Sequence, residues 1–119
     1  MRTAVAGLAV AVLMIACGGS SAAQPAGSTM VTMTEFKFAP STISAPHGKV
    51  VFWLVNSGTT QHDMAIRDSS GSTLATSELL SVGDQKEFDV NNIAAGTYTY
   101  FCTQPGHEAS GMKGTLTVT

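Results

Sequence analysis

What most limits the fold of this chain is its punctuation. From Met30 onward apolar runs stop within about eight residues, shorter than the ten to twelve a typical helix needs. The longest, "KVVFWLVN", is apolar on both parities, as in a strand covered on both faces. "GTYTYFC" sets Tyr98, Tyr100 and Cys102 on one face and Thr97, Thr99 and Phe101 on the other, and "KGTLTVT" alternates Leu116 and Val118 against threonines. "QKEFDV" alternates more weakly. "VTMTEFKF" also alternates, but its phase changes between Met33 and Phe36, which predicts a bulge or bend before Pro40 ends the run. Turn signals divide these runs at Pro46-His47-Gly48, Asn56-Ser57-Gly58, Ser70-Gly71, Gly83-Asp84, Asn91-Asn92 and Gly96. The pattern predicts an all-β fold, an antiparallel β-sandwich with one small core over residues 30–119. No segment reads as a convincing helix; "STLATSELL" offers at most a turn or two.

The beginning of the chain reads differently. In "MRTAVAGLAVAVLMIAC" a single cation, Arg2, precedes an uncharged apolar run from Thr3 to Ala16. That run is short of the roughly twenty residues that span a bilayer and suits an export signal over residues 1–16. Ala16 directly before Cys17, with Met14 three positions before it, resembles the lipobox of bacterial lipoproteins, whose cysteine is lipidated and becomes the new N-terminus; that motif usually has Leu where Met14 stands. The alternative is ordinary cleavage after "SAA", Ser21 to Ala23. Residues 17–29 are mostly Gly, Ser, Ala and Pro, without charge, and read as a flexible tether. The expectation is an exported protein, anchored by lipid on the outer side of the cytoplasmic membrane. A net charge of −2 without clustered Lys or Arg argues against nucleic acid as a partner.

Cys102 then lacks a disulfide partner in an oxidising compartment, so it is buried, reactive or metal-bound. It opens "FCTQPGHEASGM", with the spacing Cys102-x4-His107-x4-Met112. Histidine is scarce: His47, His62 and His107. His62 follows the turn "NSGTTQ" and is predicted to open a strand. In a sandwich its loop can lie beside the 102–112 loop, giving two imidazoles, a thiolate and a thioether. Two His and one Cys with a weak axial Met is the blue-copper pattern, whereas zinc favours a stronger fourth ligand. Taken singly, each residue has a plainer reading: a strand-end histidine, a small buried thiol, a core methionine. A cysteine nucleophile activated by His107 or His62 is the rival chemistry, but no oxyanion-hole loop accompanies it and Met112 is left without a task. His47 reads as a surface residue, and Met64 and Trp53 as core.

The segments "EFKFAPSTISAPHGKVVFWLVNSGTTQHD" and "GTYTYFCTQPGHEASGMKGTLTV" together resemble the cupredoxins, in particular the plastocyanin–auracyanin branch, over nearly all of residues 30–119. The resemblance implies a single Greek-key β-sandwich binding one copper ion through His62, Cys102, His107 and Met112. It implies a monomeric one-electron carrier rather than an enzyme, working with cytochromes or membrane electron-transfer complexes. A copper carrier or storage protein is the alternative. Asp63 stands where the family usually has Asn, and the resemblance implies that it ties the ligand loop through Thr103. Pro105 comes three residues after Cys102, so Gln104 keeps its N–H, and the sulfur is expected to accept from the Asp63 and Gln104 amides. Phe101 replaces the exposed tyrosine of plastocyanin, and no acidic run is present. Electrons are therefore expected to pass at the His107 edge, framed by Gly58, Pro105, Gly106, Ala109 and Gly111.

Overall fold

The computed structural model describes residues 23–119. Residues 1–16, read above as an export signal, and Cys17 lie outside them. Nine strands are found among the described residues: β1 (Thr29–Thr34), β2 (Lys37–Ala39), β3 (Thr42–Ala45), β4 (Gly48–Asn56), β5 (Ala65–Arg67), β6 (Thr73–Thr76), β7 (Gln85–Ile93), β8 (Gly96–Phe101) and β9 (Lys113–Val118). They form two sheets, ordered β2-β1-β4-β7 and β3-β9-β8-β5-β6. Just before β1, the Ser28 amide and hydroxyl both donate to the Pro25 carbonyl, at 3.2 and 2.6 Å.

Four details differ from the sequence reading. The phase change after Met33 is a hairpin: Glu35 and Phe36 join β1 to antiparallel β2, with Thr34 opposite Lys37 and Phe36 at φ 62°. Reversing the chain restores the alternation, so no bulge is needed. Asn91-Asn92 is no turn but an irregularity inside β7, where the register against β4 shifts and Asn92 takes φ 55°. The "STLATSELL" segment contributes β6, paired with β5, and no helix occurs among the described residues. Finally, β1 runs parallel to β4 and β3 parallel to β9, so the sandwich is mixed. After the hairpin the chain crosses to the second sheet as β3 and returns beside β1 as β4, and two crossings bring it back in its original direction.

The core lies between the sheets. Val31, Met33, Phe52 and Leu54 face Ile66, Tyr98, Tyr100 and Leu116. Phe52 stacks on Phe88 at 5.9 Å, and Phe38 meets Tyr100 edge-on at 5.2 Å. Phe101, Thr97 and Thr99 point away from this core while Tyr98 and Tyr100 enter it, as their parity predicts. Tyr100 lies over Gly114, its cross-strand partner, where a Cβ would collide with the ring, and its hydroxyl donates to Pro40 O at 2.6 Å. Met64 is fully buried in the core. Trp53 is buried too, but it stands on the opposite parity of β4 from Phe52 and Leu54 and does not join their cluster. His47 is exposed; its Nδ1 lies 2.9 Å from Thr119 O.

Candidate metal centre

One end of the sandwich gathers four segments: the β1–β2 turn, the loop after β4, the approach to β5, and the loop between β8 and β9. His62 does not open a strand. It forms an isolated two-way bridge with Leu80, His62 N to Leu80 O at 3.2 Å and Leu80 N to His62 O at 2.8 Å, and β5 begins three residues later. This bridge fixes the backbone on which the ring turns inward. Cys102 follows β8 directly, and its amide donates to Met112 O at 3.2 Å, closing the base of the ligand loop. Within the loop His107 N donates to Gln104 O, Met112 N to His107 O and Gly111 N to Glu108 O, at 3.1, 3.1 and 2.9 Å.

The result is convergence. One donor atom each from His62, Cys102 and His107 lies within 4.8 Å of the others. Both imidazoles present the same nitrogen: Nδ1 of His107 is 3.5 Å and Nδ1 of His62 is 4.0 Å from Cys102 Sγ, with the two rings 5.1 Å apart. His62 and Met112 are fully buried and Cys102 is 1% exposed, while His107 is half-buried. All four sequence-predicted residues therefore belong to the same end of the fold. The set fits copper by donor chemistry: borderline imidazoles and a soft thiolate meet at one point, and a soft thioether is carried on the same loop.

The surroundings hold this arrangement. Asp63 ties the loop as the family resemblance implies: Thr103 N donates to Asp63 Oδ1 at 2.7 Å and the Thr103 hydroxyl donates to Oδ2. Burial pushes the Cys102 thiol upward, and the nearby backbone amides of Asp63 and Gln104 oppose that shift. A buried thiol with a raised pKa is a poor nucleophile, which weighs against the thiol-enzyme reading. Burial lowers the pKa of His62, partly offset by its hydrogen bond to Glu35. A neutral imidazole with a free lone pair is the form a metal needs.

Three groups escaped the sequence reading. Glu35, from the β1–β2 turn, reaches His62 Nε2 at 3.3 Å; its carboxyl is held down to about 2, chiefly by the Thr59 amide. Phe36, 40% exposed, sets its ring edge-on to His107 at 5.2 Å. Arg67 of β5 forms a bidentate pair with Glu108 of the ligand loop, at 2.8 and 2.7 Å, and its guanidinium caps the Phe101 ring at 4.4 Å. The "EFKF" pairing of a carboxylate with an aromatic at the strand end was visible, but only the hairpin turns both toward the histidines. Of the predicted frame around His107, Pro105, Gly106, Ala109 and Gly111 are exposed in the same loop, whereas Gly58 packs against Glu35 and His62.

Comparison with known proteins gives one family. The model of the cupredoxin-like domain matches residues 7–118. Plastocyanin of Scenedesmus fuscus is 35% identical over 86 residues, covering 68% of this chain and 85% of that protein. Auracyanin-B of Chloroflexus aurantiacus is 50% identical over 46 residues, covering 39% of this chain but only 20% of its own length. Among solved structures, auracyanin B superposes with a TM-score of 0.71 at 28% identity, covering 82% of this chain and 91% of that one.

Proposed function

We propose, from the premise that this chain belongs to the cupredoxin-like family, that it is a one-electron carrier holding a single type 1 copper ion. His62 Nδ1, His107 Nδ1 and Cys102 Sγ would be the strong ligands and the Met112 thioether the weak one. Copper, when bound, supplies a couple between Cu(II) and Cu(I) in which one electron moves and no bond need break. The observation that carries this reading is the approach of both Nδ1 atoms to one buried sulfur, at 3.5 and 4.0 Å.

The residues around the site do the rest. Burial of His62, Cys102 and Met112 keeps water from three of the four donors, so little solvent would reorganise when the charge changes. The loop hydrogen bonds and the Arg67–Glu108 pair would restrain the donors against rearrangement when the charge changes. To hold the ion, Cys102 would have to give up its thiol proton and serve as a thiolate. Enclosure of three donors favours an ion kept through many cycles over one traded to another protein. Electrons would pass at the His107 edge beside Phe36, the exposed side of the site, to redox proteins such as cytochromes or membrane complexes. A monomer tethered through lipidated Cys17 outside the cytoplasmic membrane would carry that edge to its partners.

The test is Cu(II) titration of the purified protein followed by visible absorption. An intense thiolate-to-copper band that bleaches on one-electron reduction, returns on oxidation and is absent from Cys102→Ser is expected. A wild-type protein that binds Cu(II) without this band would overturn the reading.

A further inference from the structure

His62 is buried on every side, yet its second ring nitrogen has a specific partner. Nε2 lies 3.3 Å from Glu35 Oε1, and that oxygen also accepts from Thr59 N at 2.6 Å and Thr60 N at 3.0 Å. Two amides aim the carboxylate before the ring is considered. The loop carrying them is itself fixed from inside. Buried Asn56 accepts from Gly58 N at 3.0 Å and donates through Nδ2 to Thr60 O at 2.9 Å and Leu80 O at 3.1 Å, and Leu80 is the residue bridged to the His62 backbone. Space matters as well. A Cβ on Gly58 would lie 2.5 Å from Glu35 Oε1 and 3.0 Å from His62 Nε2, so residue 58 must be bare for the two side chains to meet. The amide pair, the Asn56 brace and the missing side chain act on the same contact.

We propose that Glu35 is a positioning residue for His62: it accepts the Nε2–H bond, fixes the tautomer whose Nδ1 is bare toward Cys102, and makes that nitrogen a more electron-rich ligand that favours the oxidised metal. A carboxylate behind a ligating imidazole orients the ring and raises its basicity. Here the carboxylate comes from the β1–β2 hairpin, 27 residues before His62. Reduction adds an electron to a site already facing this negative charge, so removing the charge makes reduction easier. The proposal rests on the copper reading above for its redox half, and on the hydrogen bond alone for its positioning half.

Two measurements separate these halves. In metal-free protein, nitrogen-15 NMR of the imidazoles should show His62 protonated at Nε2, with that proton slow to exchange in wild type and faster in Glu35→Ala. A wild-type His62 protonated at Nδ1, or a proton indifferent to Glu35→Ala, overturns the positioning role. In copper-loaded protein, Glu35→Gln keeps the size and the acceptor oxygen for Thr59 and Thr60 and loses only the charge. It should lower the ratio of Cu(II) to Cu(I) affinity about tenfold, an upward shift in reduction potential of about 59 mV for one electron. A potential equal to wild type, with the fold intact, overturns the tuning role and leaves Glu35 a loop brace. If Glu35→Ala fails to fold, the Nε2–H chemical shift in Glu35→Gln replaces it: an unchanged shift overturns the proposal. If wild-type protein takes up no copper, the electron-carrier reading falls and the NMR result alone decides whether Glu35 holds the ring.

Discussion

Asp63 shows how much one atom can matter beside a proposed metal ligand. Its two oxygens take both hydrogen bonds that Thr103 offers, so the loop is tied at the residue after Cys102. Asparagine offers one acceptor oxygen and no charge, and a carboxylate this close to the site favours Cu(II). Asp63→Asn is therefore expected to raise the reduction potential, read by redox titration of the loaded protein; a fall or no change would contradict the assignment. Cys102 carries a second expectation. At 1% exposure and with its thiol pushed up by burial, it should react with iodoacetamide in metal-free protein at least about tenfold more slowly than free cysteine at neutral pH. A fast reaction would revive the nucleophile. The four proposed ligands and the Asp63–Thr103 tie were legible because they sit within, or next to, two short motifs. Glu35 was not: a carboxylate in an alternating strand reads as an outward-facing residue until the hairpin after Met33 is known.

At the scale of elements, the sandwich was legible in its strands and obscure in their connections. Period-two patterning marks which residues face the core, and Tyr98, Tyr100, Leu116 and Val118 lie where parity puts them. It cannot say whether a phase change is a bulge or a reversal, since both move the next apolar side chain to the other parity. It is equally blind to strand direction, which is why the parallel β1–β4 and β3–β9 pairs came only with the structure. The β8–β9 pair gives a sharp test of packing. Gly114→Ala places a methyl group in the Tyr100 ring, and backbone pairing on both sides prevents the strand from retreating. Loss of about 1–3 kcal/mol is expected from chemical denaturation. Because Tyr100 leads directly to Phe101 and Cys102, the same change should broaden the copper absorption band.

For the whole molecule the test is pH. The Glu35 carboxyl sits near 2 in the fold against its usual 4.5, so the unfolded chain binds that proton first. Its contribution is complete above about 4.5 and is lost as pH falls toward 2. Metal-free His62 acts in the same direction: burial lowers its pKa, so below about 6.5 the unfolded chain takes up a proton that the native ring resists. The melting temperature of metal-free protein should fall steadily on acidification from about pH 7 to pH 3, and the lower part of that fall should flatten in Glu35→Gln. A level profile would show that neither group differs between the two states. One consequence of the ligand arrangement bears on any such melting curve taken with metal. Cys102, His107 and Met112 are neighbours along the chain, whereas His62 lies 40 residues before Cys102. A denatured molecule therefore would remain a chelator with three of its four claws, and copper would stabilise the fold by less than native affinity alone would give.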